Sequence, residues 1–500
     1  MPCTSIMVGK KASTDGSVMT SHTADCHRSG SALLYAPAAD HAPLAQRTLT
    51  KRREDNSGRM EQWAYDPTGS IPQVPHTFGY LNPVYACMNE RQLAIGESTC
   101  TGRAELASKK GLIDCESLQR LMLERAVTAR DAIRLGGELL AQHGWCDEGE
   151  ALTIADTNEV WMMEISGVGT DKIGAVWAAQ RIPDDHVCVV ANSFRIGEID
   201  LKDPEHFMAS PNVFDVAREA GYWDPNGRVP FRFYEAYNPT GRTEVASTRR
   251  EWRVFDLLAP SLKLRANQNV YPFSVKPDAP VAPEKVMSLF RDTYEGTEYD
   301  ICRQLMVTDE AGKSVVSPMA NPFMPYDMNK MLRINGHWSY MFERQLARWY
   351  CMYVTVTQSR SWLPDAIGGV TWFGYGNPAM TTYAPLYAGI TEVPEDYQQD
   401  GRKTGFSRRS AFWAFRRAAT IAGHRWGDMR NDVAAVRDPM QEKFLAAQKG
   451  IQEEFAKLHE SDPAKARAYL TAESKKACLE ATEAYWNLGD LLWTKYDERW

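Results

Sequence analysis

A cysteine stands third in the chain, directly ahead of the apolar run Thr4-Ser5-Ile6-Met7-Val8 and a turn that carries the Asp15-Gly16 signal. That position is chemically unusual. A cysteine at a chain start can use its own α-amine as a base, because an α-amine titrates at about 7.7–8.0 and a free thiol at about 8.5. One residue then supplies nucleophile and base for attack on a carbonyl. Position alone does not decide the matter, since a free cysteine is more often a small buried hydrophobe. The other nine cysteines, at 26, 87, 100, 115, 146, 188, 302, 351 and 478, form no CxxC pair and no group with histidine at metal-ligand spacing. Zinc and dithiol redox readings fall away. The chain also lacks GxxxxGK[ST], GxSxG, HExxH and an EF-hand loop, and Gly167-Val168-Gly169 lacks the third glycine of a dinucleotide fingerprint.

The elements that must position Cys3 begin with a hairpin. Residues 4–8 and 17–20 read as its strands and Ser13-Thr14-Asp15-Gly16 as its turn. Residues 36–82, rich in proline, glycine and charge around Ile71-Pro72-Gln73-Val74-Pro75-His76, read as a long ordered loop or a lid. Strands are expected at 91–96, 151–155, 160–165 and 186–191. Apolar spacing predicts helices from Leu118 to Leu140, the second opened by the capping box Thr128-Ala129-Arg130-Asp131 and closed near Gly144. Residues 346–391 are strand-rich and aromatic. The last ninety residues are helical, with caps expected at Asp438-Pro439 and Asp462-Pro463 and one apolar face of Met440, Phe444, Ile451, Phe455 and Leu458. Strands and helices come in blocks rather than in βαβ alternation, so layered antiparallel sheets with outer helices are expected.

Composition narrows the partners. With 57 basic against 64 acidic side chains the formal charge is −7, and no basic tract exceeds Lys51-Arg52-Arg53 and Arg249-Arg250, which argues against nucleic acid or an anionic membrane. No window approaches the roughly 20 apolar residues of a membrane span, and the start Met-Pro-Cys shows no leader pattern. A soluble protein of a reducing cytoplasm, acting on small molecules or peptides, is the expectation. Self-association stays open.

The start CTSIMVGKKASTDGSVMTSHTAD resembles that of the cysteine-type N-terminal-nucleophile dipeptidases, the dipeptidase A (PepD) family that is related to the secernins. NERQLAIGESTCTGR, EGEALTIADTNEVWMMEISGVG, RIPDDHVCVVANSFRI, SRSWLPDAIGGVTWFG and YAPLYAGITEVPEDY resemble further blocks of that family in its usual order, so the resemblance covers nearly the whole chain. It implies a four-layer αββα sandwich over residues 1–400, with a mainly helical region, 401–500, packed on it. It also implies hydrolysis of dipeptides through a thioester on Cys3, without metal or other cofactor. By the same resemblance Asp25 orients the terminal amine, and Asn192 donates to the tetrahedral oxyanion. Thr99 matches a second oxyanion-type position of the bile-salt hydrolases and penicillin V acylases, and Arg253 the family's later arginine.

Two departures stand out. Relatives commonly carry Arg-Asn-x-Asp where this chain has His22-Thr23-Ala24-Asp25, so a titrating imidazole replaces a guanidinium clamp on the substrate side. Pro2 keeps the Cys3 nitrogen an amide, and active protein is therefore expected to begin at Cys3 once the Pro2-Cys3 bond is broken. Two alternatives share the resemblance: an N-acyl amide hydrolase of the bile-salt or penicillin V type, and a secernin-like protein without catalysis.

Overall fold

Val18–Asp25 forms a strand whose eight residues are all buried although five of them are hydroxyl-bearing or ionisable, which requires polar partners on both of its faces. This strand, β2, pairs antiparallel with β1 (Ser5–Val8) at Val8 and Met19, the hairpin that its turn chemistry predicts. The computed structural model describes residues 3–26, 30–55, 57, 62–303, 305–323, 343–403 and 405–498. Met1 and Pro2, and with them the expected cleavage site, lie outside the described residues.

Eight further strands and seven helices carry most of the argument. In chain order they are β3 (Ala94–Cys100), α1 (Cys115–Arg125), α2 (Ala129–His143), β4 (Gly149–Ala155), β5 (Val160–Ser166), β6 (Val176–Ile182) and β7 (Val187–Val190). Then come α3 (Val245–Leu258), β8 (Cys351–Ser359), β9 (Val370–Tyr375), β10 (Ala384–Tyr387), α4 (Ala411–His424), α5 (Trp426–Ala446), α6 (Gln448–Ser461) and α7 (Pro463–Tyr496). One antiparallel sheet has the order Ser274–Val275, β7, β1, β2, β8, β9, β10. A second has the order Phe207–Ala209, β6, β5, β4, β3, Met88–Asn89, Tyr80–Asn82, Leu34–Ala36.

The two sheets meet where β2 lies against β3, β4 and β5. Their approach is close. Thr20 and Thr153 join their hydroxyls across the gap at 2.6 Å, and a Cβ on Gly96 would come within 2.4 Å of the Ser21 carbonyl oxygen. Glycine is what this crossing allows. On the far side of the second sheet, α1 and α2 pack together and α2 rests on β4 and β5. Thr128 caps α2 by accepting from the Asp131 backbone N–H, and Gly144 ends it at φ 76°, as capping chemistry predicts.

The C-terminal helices belong to the same apolar core as the sheets. Helix α7 packs on α4 and β10, with Tyr485 stacked on Phe415 at 4.1 Å between centroids. Asp462 caps α7 as expected, accepting from the N–H groups of Ala464 and Lys465. Asp438-Pro439 does not open a helix. Pro439 sits inside α5, where burial of Trp426, Met429 and Val433 before it and of Gln441 and Phe444 after it holds the helix through the break. Among the described residues no helix is long and apolar enough to cross a membrane.

The expected loop at 36–82 is mostly strand. Gln46–Asp55 and Gln62–Pro72 form a long two-stranded hairpin with a register shift between Leu49 and Thr50. It docks on α1 through Arg52 and Glu116 at 2.8 Å and through the Ser117 hydroxyl, which donates to Thr50 O at 2.9 Å. Exposure of its charged residues hid the strand pattern behind loop-like composition. Strand β6 was not anticipated either.

Because the Gly96 Cα faces backbone and a threonine hydroxyl, Gly96→Ala should destabilise the protein by about 1–3 kcal/mol, the usual cost of overpacking. Thermal unfolding of the variant at the parent's midpoint would show that the sheets can part at no cost.

Candidate active site

Cys3 lies just ahead of β1, and its side chain is fully buried. Its carbonyl oxygen accepts from the Ser98 hydroxyl at 3.2 Å and from Arg250 Nη1 at 2.7 Å. Arg250 reaches it from α3, which packs against β7. The same guanidinium donates to Thr4 Oγ1 at 2.8 Å, Ala191 O at 3.2 Å, Asn192 Oδ1 at 2.8 Å and Ala246 O at 2.7 Å. Burial and the nearby Arg344 both act to lower its pKa. Five oxygen contacts offset that cost.

Asn192 follows β7 in the left-handed region, φ 62°, which asparagine tolerates better than most residues. The turn aims its amide back at β3: Nδ2 donates to Thr99 O at 2.6 Å, while the backbone N–H donates to the Ser98 hydroxyl at 2.8 Å. Asp25, at the end of β2, is fully buried and pairs with Arg344. Its Oδ2 also accepts from Thr23 Oγ1 at 3.2 Å, and the same Oγ1 accepts from the Thr4 N–H at 3.0 Å. Asp25 is thus linked through Thr23 to the backbone nitrogen of Thr4. Asp25 also lies beside the Cys351 thiol, and among the described residues its buried Oδ1 accepts no hydrogen bond of ordinary geometry.

A second set of charges surrounds the thiol. A Cys3 sulfur, a His22 ring nitrogen and a Glu97 carboxylate oxygen all lie within 4.8 Å of one another. Glu97 receives a hydrogen bond from Cys3, and its Oε1 lies 2.8 Å from His22 Nε2. Thr99 Oγ1 donates to Glu97 Oε2 at 3.4 Å. The His22 ring meets Tyr85 and Tyr353 edge-on at 5.3 and 5.7 Å, and Arg52 from the long hairpin holds the Tyr85 hydroxyl at 2.9 Å.

Glu150 completes this set. In the β3–β4 register Thr99 faces Glu150 and Glu97 faces Leu152, so the two glutamates are diagonal neighbours on one face. Burial, then Glu97, pushes the Glu150 carboxyl well above the carboxylate range. Burial alone would raise Glu97 too, but His22, with hydrogen bonds from Glu150 and Cys3, holds it below its usual value. One carboxylate and one carboxylic acid share the pocket. Burial, then Glu97, pushes the Cys3 thiol well above its ordinary range, so in this arrangement the sulfur keeps its proton. Its position before a strand is therefore not enough to ionise it. Cys3, His22 and Glu97 also form a sulfur, nitrogen and oxygen donor set that a zinc ion could use, as do Glu97, Cys115 and Glu150 with two carboxylates and a thiol.

Of the residues singled out by sequence, Cys3, His22, Asp25, Thr99 and Asn192 gather at this seam between the sheets. Arg253 is held elsewhere: its guanidinium pairs with Asp292 at 2.8 Å and with Asp256 at 3.1 Å. Arg250, one helical turn earlier, is the arginine that contacts Cys3. Sequence reasoning missed Arg250, Arg344, Glu97 and Glu150. The signal available for the glutamates was an ionisable residue inside each of two apolar strand patterns, Ala94–Cys100 and Gly149–Ala155.

The model of peptidase family C69 matches residues 2–438. The chain belongs to that family of peptidases. Similar proteins include a "Probable dipeptidase" of Latilactobacillus sakei, 25% identical over 96% of this chain and 93% of its own length. A "Probable dipeptidase" of Salmonella dublin is 26% identical over 83% and 88%. A "Probable dipeptidase B" of Streptococcus pyogenes serotype M1 is 23% identical over 92% and 86%.

The raised Glu150 carboxyl carries a stability consequence with a definite sign. A carboxyl whose folded pKa exceeds its unfolded value of about 4.3 loses stability for the fold as pH rises above that value. Glu150→Gln keeps the donor and removes the titration, so the variant should gain on the parent between pH 5 and 8 and match it near pH 4. Thermal unfolding at these pH values tests this, and a pH-independent difference between the two proteins would refute it.

Proposed function

We propose that the protein hydrolyses dipeptides with Cys3 as nucleophile. The observation that supports this most is the convergence on Cys3: its carbonyl is fixed by Arg250 and Ser98, Arg250 also holds Asn192 two residues past the adjacent strand, and Asp25 is linked through Thr23 to the neighbouring Thr4. Membership of a peptidase family and the names of the similar proteins add the reaction class. On this reading the chain is an αββα N-terminal-nucleophile hydrolase over residues 1–400 carrying a helical region, 401–500. Facing sheets, α2 against β4 and β5, and α4 and α7 against β9 and β10 support that layering.

The reaction runs in two halves. The Cys3 sulfur bonds to the carbonyl carbon of the first residue, and the Cys3 α-amine, oriented by Asp25, takes the thiol proton. An amide N–H of Asn192 serves the oxyanion. The peptide C–N bond breaks, the leaving amine receives that proton, and water then cleaves the thioester. His22 and Thr99 border the substrate on the thiol side, and Arg250 fills the role first given to Arg253.

A free amine requires that Pro2 be removed. In the simplest route the Cys3 sulfur attacks the Pro2 carbonyl, the C–N bond breaks as the nitrogen takes the thiol proton, and water hydrolyses the thioester.

Intact-mass measurement of parent and Cys3→Ala, alongside hydrolysis of free dipeptides, tests the whole scheme. Active parent should begin at Cys3, and Cys3→Ala should be inactive and keep Pro2. A fully active parent that retains Pro2, or an active Cys3→Ala, would overturn the mechanism. Asn192→Ala should lower kcat by about 10²–10³ with little change in melting temperature, the usual cost of one oxyanion donor. Parental kinetics in that variant would remove Asn192 from the scheme.

A further inference from the structure

We propose that Glu97 receives the α-ammonium of the dipeptide's first residue and thereby makes a free amino terminus a requirement of the substrate. This rests on the dipeptidase reading and adds to it the residue that sets specificity. The argument starts from the substrate's own covalent geometry. In an aminoacyl group the α-nitrogen is two bonds from the carbonyl carbon, about 2.5 Å away. A sulfur poised to attack that carbon stands about 3–3.5 Å from it. The ammonium must then lie within a few ångströms of the sulfur, in the space bordered by whatever already touches the thiol.

The carboxylate beside it is that of Glu97, an oxygen of which lies within 4.8 Å of the Cys3 sulfur. Its surroundings suit one extra positive charge. Glu150 is kept neutral by burial and by Glu97 itself, so the two carboxyls together carry a single negative charge. Glu97 Oε1 lies 2.8 Å from His22 Nε2, and Oε2 accepts a long hydrogen bond of 3.4 Å from Thr99 Oγ1.

The same placement has a second effect. A buried carboxylate beside the sulfur opposes formation of a thiolate, as the raised Cys3 thiol reflects. An arriving ammonium neutralises that carboxylate and removes the opposition, so binding of the correct substrate also activates the nucleophile. An N-acylated substrate brings no cation. It leaves the Glu97 charge without that added partner in a low-dielectric site, where polar sites discriminate strongly.

The test compares alanyl-alanine with N-acetyl-alanyl-alanine on processed parent, Glu97→Gln and Glu97→Asp. For the parent, kcat/KM should favour the free dipeptide by on the order of 10² or more, the range expected when a built polar contact is lost. Glu97→Gln should collapse that ratio at least tenfold, and Glu97→Asp, which keeps the charge, should restore part of it. A Glu97→Gln enzyme that keeps the parent's ratio overturns the inference.

Should Glu97→Gln fail to fold, propionyl-alanine, which is alanyl-alanine without its amine, decides the matter on the parent. A kcat/KM within threefold of that for alanyl-alanine overturns the inference, and a loss of about 100-fold supports it. Free-dipeptide hydrolysis without dependence on the amine sinks the Glu97 assignment alone. A parent that prefers the N-acetyl substrate, or cleaves neither, sinks the dipeptidase reading with it.

Discussion

Arg250 is a fully buried cation whose guanidinium reaches five oxygens, those of Cys3, Thr4, Ala191, Asn192 and Ala246, and the position of the candidate nucleophile depends on that array. Taking a guanidinium out of water is costly unless its donors are all met. Here they tie three separate pieces of chain together: the residues ahead of β1, the turn after β7 and the body of α3. Cys3 is thereby placed by its backbone, through its carbonyl, which leaves the sulfur free to be governed by other groups. Helix α3 is itself anchored beyond this contact. Glu251 on its next position pairs with Arg242 at 2.7 Å, and Arg249 pairs with Glu343 at 3.2 Å.

The site divides into two charged halves because its two sheets bring different residues. One half holds Asp25 and Arg344, a buried pair joined to the Thr4 nitrogen through Thr23. From the sulfur side come Glu97 and Glu150 of the second sheet with His22 of the first. The separation is a matter of register. In β2, His22 and Asp25 are three residues apart, so the pleat sends them to opposite faces. His22 meets the glutamates of the opposing sheet, and Asp25 meets the arginine beside Cys351. A one-residue slip in β2 would exchange these faces and dissolve both pairs at once, which ties the electrostatics of the site to the pairing of β2 with β8.

Local signals in the sequence were readable where the chain obeys them alone. The Asp-Gly turn of the first hairpin, the Thr128 cap, Gly144 and the Asp462 cap all act within a few residues of themselves. Pro439 and the 46–72 hairpin are different, because their conformations are set by what packs against them: burial on both sides of Pro439, and α1 beneath the hairpin. The site shows the same division. Cys3, Asp25 and Asn192 could be named from their motifs. Arg250 could not be told from Arg249 or Arg253 in a helix where all three are charged, and only the direction of the helix axis relative to β7 selects it.

Glu97 and Glu150 show why charged residues in strands are hard to read. In sequence a carboxylate suggests a solvated face, and alternation in Ala94–Cys100 makes Glu97 look like the outward residue of a half-buried strand. Yet both faces of β3 are covered, one of them by β2. Once water is excluded, a pair of carboxyls can persist only if one keeps its proton, and the choice falls on Glu150 because His22 and the Cys3 thiol both favour charge on Glu97. The His22 imidazole stands 2.8 Å from Glu97 while lodged between Tyr85 and Tyr353, and so a single carboxylate is fixed at the sulfur's side.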